Sequence, residues 1–180
     1  MVRQRQGQGV KILRVVLIVA CASFHGEAAF AEDIVARMVG VWVGQGVVRP
    51  RGFDAPEKIR CKVIGKKLSD VEVRFSGRCA TTSGAGAFRL FIAQDETGSL
   101  FAARVRFSGA KSALEFNGDI SADKITLLQD NAVAQGDRLV LATLSLLIPK
   151  DGDIEMINDI VDLNSGEIAQ SLNIKFVRRK

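Results

Sequence analysis

The segment Phe101-Ala102-Ala103-Arg104-Val105-Arg106-Phe107-Ser108 places an apolar side chain at every second position, from Phe101 to Phe107. Successive side chains of a β-strand point to opposite faces, so this period puts one set in a core and the other in solvent. The same alternation recurs in residues 59–63, 71–76 and 171–176. The pattern predicts antiparallel strands that each bury one face. The side chains expected to point inward include Val71, Val73, Phe75, Leu172, Ile174 and Phe176, and those expected to point outward include Ser171, Asn173 and Lys175.

Turn-forming residues separate these segments at regular intervals. Gly, Asn, Asp and Ser cluster in residues 95–98, 108–109, 121–123, 135–137, 150–152 and 164–166. This spacing indicates an all-β fold of nine or ten strands, preceded by one short helix from Asp33 to Met38. A sheet of that size exposes its edges unless it closes, which favours an antiparallel up-and-down β-barrel of eight to ten strands. A two-sheet β-sandwich is the alternative.

The first 31 residues have the layout of a secretory signal peptide. Basic residues precede an apolar run at 15–24, and the small-x-small triplet Ala29-Phe30-Ala31 follows it. We therefore expect cleavage after Ala31, export to the periplasm or the medium, and a single domain over residues 32–180. The apolar run is too short to cross a bilayer as a helix, so we do not expect an integral membrane protein. Removing residues 1–31 lowers the net charge from +5 to +2.

A second processing site is also present in this segment. Ile18-Val19-Ala20-Cys21 resembles the lipobox of bacterial lipoproteins, in which the cysteine is lipidated and becomes the mature N-terminus. On that alternative, the domain would be anchored to a membrane through Cys21.

Two cysteines, Cys61 and Cys79, remain after cleavage. An even number of cysteines in an oxidising compartment predicts a disulfide. The alternation of their strands turns both side chains inward, which is compatible with a bond between them. Two buried free thiols are the alternative.

The segment Gly40-Val41-Trp42-Val43-Gly44-Gln45-Gly46 opens the first predicted strand. It resembles the Gly-x-Trp element that begins calycin barrels such as lipocalins, and the chain is also similar to uncharacterised periplasmic proteins of α-proteobacteria. In lipocalins, the tryptophan closes one end of the barrel and a basic residue of the last strand packs over it. The resemblance implies that Trp42 plugs a barrel end beneath Arg178 or Arg179. The absence of tyrosine departs from the lipocalin pattern.

The composition removes several kinds of chemistry. The chain has one histidine, His25, which leaves with the signal peptide. Without it, the mature chain has no Ser-His or Cys-His pair and no imidazole metal ligand. We therefore expect no catalytic residue, no metal and no cofactor, and a protein that is not an enzyme.

Two functions fit a barrel without catalytic residues. In the first, the interior binds a small apolar or amphipathic ligand, because small barrels either fill with side chains or hold one guest. The expected lining is Phe75, Phe101, Ala103, Val105, Phe107 and Phe176. In the second, a ligand-free module uses a basic face to contact an anionic envelope component, either lipid or polysaccharide. The expected face is Lys58, Arg60 and Lys62, within the basic stretch from Arg49 to Arg78. Export argues against a nucleic-acid partner.

Overall fold

The computed structural model describes residues 34–179; the predicted signal peptide and its alternative lipidation site at Cys21 lie outside that range. A short helix, α1, spans residues 34–38. Eleven strands follow it: β1 (Gly40–Val48), β2 (Glu57–Ser69), β3 (Glu72–Ala80), β4 (Ala85–Gln94), β5 (Leu100–Phe107), β6 (Leu114–Ser121), β7 (Lys124–Gln129), β8 (Val133–Gln135), β9 (Arg138–Leu147), β10 (Ile154–Asp162) and β11 (Ile168–Arg178).

Ten of these strands form one closed antiparallel barrel. Each strand from β1 to β7 pairs with the next, β7 pairs with β9, and β9 continues through β10 and β11 back to β1. The three-residue strand β8 adds only to β9. The predicted barrel is therefore confirmed and the two-sheet sandwich is not formed. Closure leaves the ten barrel strands paired on both sides, which is the physical reason to prefer it.

Helix α1 closes one end of the barrel. The side chains of Ile34, Val35 and Met38 are fully buried, and burying such a side chain stabilises a fold by about 1.5–3 kcal/mol. Arg37 fixes the helix in place, because its Nη1 donates to Asp123 Oδ1 at 2.7 Å and to the Ile148 carbonyl at 2.8 Å. We call this the closed end and the opposite one the mouth.

The inward side of the barrel carries the hydrophobic core. Inward and outward positions alternate in β2, where Ile59, Cys61 and Val63 are buried and the residues between them are exposed. Strand β1 comes unusually close to β11, since a Cβ at Gly44 would overlap the Phe176 ring. Glycine at position 44 thus makes room for a large aromatic side chain across the pair.

Within residues 34–179, no helix is long and apolar enough to span a bilayer.

Candidate functional site

The half of the barrel nearer the mouth is hollow. A cavity of about 500 Å³ runs into the interior from the mouth, and typical small-molecule sites measure about 300–1,000 Å³. Its walls come from strands around the barrel and are predominantly apolar. Central lining residues are Ile59, Leu90, Phe116, Leu144, Ile174 and Phe176.

Two polar side chains, Asn158 and Ser171, interrupt this apolar wall. Asn158 Nδ2 donates to Ser171 Oγ at 2.6 Å, and Ser171 Oγ donates to the Asn158 carbonyl at 3.0 Å. The register between β10 and β11 shifts at this point, so that Ser171 has no direct partner on β10. An extra residue in one strand re-aims side chains locally. Ser171 and Leu172 consequently both line the cavity, although they are adjacent in sequence.

Gln129 is a third polar residue of the wall, and its side chain supports the backbone. Its Oε1 accepts a hydrogen bond from the Ala142 amide at 3.2 Å, and its Nε2 donates to the Asn131 carbonyl. The side chain is 4 % exposed. Both polar groups of the Gln129 side chain are thus bonded to the backbone. They link β7 to β9 at the point where the direct pairing of the two strands ends.

The loop from 49 to 56 between β1 and β2 partly covers the mouth. Gly52 adopts φ +76°, and a Cβ there would overlap Ile160 of β10. Phe53 packs at the edge of the core, with the guanidinium of Arg138 4.2 Å above its ring. Arg49, the first residue of this loop, lines the cavity and donates to the Asp54 carbonyl at 2.7 Å. The rim therefore carries a cation next to a predominantly apolar interior.

Arg138 also anchors the far side of the mouth. Its Nη1 lies 3.4 Å from Asp162 Oδ2 and 2.7 Å from Glu167 Oε2. Asp162 further accepts hydrogen bonds from the Asn164 amide and the Ser165 hydroxyl, at 2.9 and 3.0 Å. Chiefly the Asn164 amide, helped by Ser165 and Arg138, holds the pKa of Asp162 below its usual value. The loop between β10 and β11 is thus fixed by an ionised carboxylate.

The turn between β3 and β4 forms the remaining part of the rim. Glu57 Oε2 accepts hydrogen bonds from Thr82 Oγ1 at 2.8 Å and from the Ser83 amide at 3.0 Å. Thr82 in particular lowers the pKa of Glu57 from its usual value. This contact ties the turn to the first residue of β2.

The six predicted lining residues lie at three different heights in the barrel. Val105 and Phe176 line the cavity, and Phe107 lies at its mouth, where it is 50 % exposed. Phe75, Phe101 and Ala103 do not line it: all three are buried in the barrel but outside the cavity, and Phe75 contacts the closed end near Trp42. Alternation in a sequence separates inside from outside and carries no information on height along the barrel axis, because neighbouring strands are staggered.

Cys61 and Cys79 are joined by a disulfide in the structure. They are direct partners in the register of β2 and β3, with their Cα atoms 4.1 Å apart. Cys61 is 2 % exposed and Cys79 lines the cavity. The bond therefore crosslinks two neighbouring strands of the cavity wall.

Trp42 lies at the closed end, 2 % exposed. Its Nε1 donates to the Met38 carbonyl at 3.1 Å, and the guanidinium of Arg178 lies 4.6 Å from its ring centroid. Arg179 does not contact the ring; its backbone amide donates to the Val41 carbonyl at 2.8 Å and its side chain is exposed. Of the two arginines proposed as the cover, the structure brings Arg178 to Trp42.

Lys58, Arg60 and Lys62 all point outward from β2 and are exposed. The structure places further cations beside them on β3, β4 and β5. The spacing of these residues in the sequence did not predict that they share one surface. Among residues 34–179, no group of three or more Cys, His, Asp or Glu side chains is close enough to hold a metal ion.

The polar residues of the cavity and the loop over its mouth were missed from the sequence. Asn158 carried a detectable signal, since it occupies an inward position of a strand that also buries Ile154 and Ile160. Ser171 carried none, because the shift in register that turns it inward is a property of the β10–β11 pair.

No protein-family model matches the chain, and no curated protein matches it in sequence. Solved structures match it in fold. Rv2717c from M. tuberculosis aligns with a TM-score of 0.57 at 8% identity, over 83% of this chain and 98% of that one. The S-type phycobiliprotein lyase CPES from Guillardia theta aligns with a TM-score of 0.54 at 13% identity, over 86% of this chain and 98% of that one. At these identities the likeness defines the fold as a closed antiparallel β-barrel and no more.

Proposed function

We propose that this protein is a non-catalytic binding barrel that holds one small apolar or amphipathic molecule in its interior. The observation that carries the proposal is the cavity of about 500 Å³ at the mouth, lined mainly by Leu, Ile, Val and Phe side chains. A predominantly apolar cavity of this size can accept an apolar guest. A close-packed interior would have no room for one without strain.

The arrangement of polar groups favours an amphipathic guest. The Asn158–Ser171 pair offers a neutral polar contact within the cavity, and Arg49 offers a cation at the rim. A molecule with an apolar body and a polar or anionic end would place its body against the Leu90 and Phe116 side of the wall. Its polar end would remain at the mouth near Arg49. Fatty-acid-like molecules meet this description, whereas a porphyrin would have no histidine ligand.

The likeness in fold gives independent support to a binding function. One of the similar structures is named a phycobiliprotein lyase. We extend to this chain only the use of a barrel interior for a guest, and we propose no lyase activity.

The proposed location is outside the cytoplasm. The signal-like segment 1–31 motivates it, and the disulfide between Cys61 and Cys79 is compatible with an oxidising compartment. In this proposal the protein is a periplasmic or secreted member of the calycin-like barrels, similar to proteins of α-proteobacteria. The lipoprotein alternative would tether the same barrel to a membrane through Cys21.

Two measurements test the binding function. Native mass spectrometry of the protein purified from its own compartment should show a co-purified mass of a few hundred daltons. Thermal unfolding with fatty acids, hopanoid-like lipids and a porphyrin should show fatty acids stabilising most. A guest at a hundred times its dissociation constant adds ~2.7 kcal/mol by mass action. Absence of both a co-purified mass and any shift across the panel would refute the binding function.

A further inference from the structure

The outer side of four neighbouring strands forms one continuous positively charged surface. Strands β2 to β5 pair in order, and their outward positions lie side by side. We define the basic face by seven of these side chains: Lys62, Lys66, Arg74, Arg78, Arg89, Arg104 and Arg106. It continues the Lys58-Arg60-Lys62 row of β2 onto strands far from it in sequence.

Like charges lie directly opposite each other in this face. Lys62 pairs with Arg78, and Lys66 pairs with Arg74, across β2 and β3. Arg89 likewise pairs with Arg106 across β4 and β5. Like charges at directly opposed positions destabilise a sheet. Three such pairs side by side are unfavourable for folding alone, which indicates that the surface has a function with an anion.

Little within the described part of the chain neutralises these cations. Arg104 forms an ion pair with Glu115, with Nη2 and Oε1 2.9 Å apart. Among residues 34–179, no carboxylate forms an ion pair with the other six members of the face. The face is therefore available to an anion from outside.

Exposed apolar side chains lie among the cations. Ile64 stands between Lys62 and Lys66 on β2 and is 56 % exposed. Its register partner on β1, Val41, is 44 % exposed. A surface that combines cations with exposed apolar groups suits the headgroup region of a membrane, where the charge meets phosphate and the apolar groups meet acyl chains. A polysaccharide would offer nothing to Ile64 and Val41.

Acidic side chains point outward on the far side of the barrel, where β10 carries Glu155 and Asp159. An anionic surface would attract the basic face and repel this side. The charge distribution would therefore orient the barrel as well as attract it.

We infer that the basic face docks the protein on an anionic phospholipid surface. This inference does not depend on a guest in the cavity. The first experiment is co-flotation of the full chain with vesicles of phosphatidylcholine, with and without 30 mol % phosphatidylglycerol. Binding to the anionic vesicles should be selective and should weaken as salt is added.

A pair of matched double variants assigns the binding to the face. Lys62→Gln/Arg89→Gln removes two charges from the basic face, and Lys124→Gln/Lys175→Gln removes two charges from β7 and β11. Each cation near an anionic membrane contributes about five-fold to binding, so the first pair should weaken partitioning by roughly 25-fold. The second pair should change it less than three-fold. Both chains keep residues 1–33, so any binding through that segment is the same in both.

Two tryptophan reporters test the orientation. Ile64→Trp lies in the basic face, whereas Leu128→Trp lies on β7, five strands away and at a similar exposure of 52 % for the native residue. Trp42 is buried and gives a constant background. Brominated acyl chains in anionic vesicles should quench the tryptophan at 64 and leave that at 128 unquenched.

Several outcomes would overturn the inference. These are no binding to anionic vesicles, equal loss in the two double variants, or equal quenching at positions 64 and 128. Binding to alginate without binding to the vesicles would assign the face to an acidic polysaccharide instead. Thermal unfolding of each variant checks that it is folded, and Lys62→Gln/Arg89→Gln should be no less stable than the parent because each change relieves a like-charge pair.

Discussion

Arg178 covers Trp42 from the directly opposed position of the neighbouring strand, so that the last strand of the barrel closes over the first. The two residues are register partners in β1 and β11, with the guanidinium 4.6 Å from the indole ring. Arg178 Nη2 also donates to the Arg37 carbonyl at 2.7 Å. One side chain therefore links β11, β1 and helix α1 at the closed end.

Truncation of Trp42 should destabilise the fold because this side chain fills the closed end of the barrel. Trp42→Ala is expected to lower the free energy of unfolding by about 3–5 kcal/mol, as large aromatic truncations in cores do. Arg178→Ala should cost about 0.5–2 kcal/mol for the lost cation–π contact. The matched control is Arg179→Ala, which should stay within about 0.5 kcal/mol because that side chain is exposed. Urea unfolding followed by circular dichroism measures all three, and equal effects at 178 and 179 would contradict this role for Arg178.

Gly44 should tolerate no side chain while Phe176 keeps its position. Gly44→Ala places a Cβ in overlap with the edge of the Phe176 ring and close to Ile174, and overpacking of a core costs about 1–3 kcal/mol. Gly84→Ala is the matched control, since a Cβ there meets nothing within 4 Å. Adding Phe176→Leu to Gly44→Ala should recover part of the loss in a double-mutant cycle. Additive effects of the two changes would show that the residues do not share this space.

Much of the fold was predictable from local patterns. All six predicted turn segments fall where one strand ends and the next begins, and five of them contain a glycine at positive φ: Gly98, Gly109, Gly136, Gly152 and Gly166. Alternation identified the inward sides of β2 and β5 because a period of two is a local property. The alternation predicted the wrong side for residues at which the pairing of the strands changes. Val71 is 44 % exposed because β3 begins only at Glu72, and Ser171 is buried by the shift in register.

The functional surfaces were less predictable because they depend on register. Sequence alternation showed Arg104 and Arg106 pointing outward, but only the pairing of β4 with β5 brings Arg89 beside Arg106. The cavity likewise depends on which inward residues lie at the mouth. Phe101 and Val105 belong to the same side of the same strand, yet only Val105 lines the cavity.

The disulfide has a direct chemical test. The full chain contains three cysteines, so thiol titration of the denatured, unreduced protein should find one free thiol, that of Cys21. Protein that begins at Glu32 should give none. Two further free thiols would show that Cys61 and Cys79 are reduced. The bond is expected to stabilise the fold by roughly 3 kcal/mol, which makes reduction followed by urea unfolding a second readout.

Asp162 should make stability depend on pH in the acid range. Its pKa is lowered in the folded protein from a usual value near 3.8, so the unfolded chain takes up a proton at a higher pH than the folded one. Stability from this group is therefore fully present above about pH 4–5 and is lost as pH falls through the lowered pKa. Asp162→Asn should be less stable than the parent at pH 7, with a difference that shrinks at low pH. Asp151→Asn, at an exposed loop position, should show a much smaller effect.

Filling the cavity tests both its existence and its use. Ala142 lies on β9, 7 % exposed, and its side chain faces the cavity. Ala142→Phe should extend into the empty volume, so the free energy of unfolding without ligand should change by less than about 1 kcal/mol. If the interior were close-packed, the same change would cost about 1–3 kcal/mol or more through strain.

The same variant should lose the guest. A ring at position 142 takes up space that an apolar molecule would otherwise occupy. The apparent affinity for the best fatty acid of the panel, obtained from thermal unfolding, should therefore fall at least ten-fold. Ala102→Phe is the matched control, because it adds the same atoms to an exposed outward position of β5. It should bind as the parent does. A tolerated Ala142→Phe that still binds with unchanged affinity would show that the guest lies elsewhere, and the cavity would then have no part in binding.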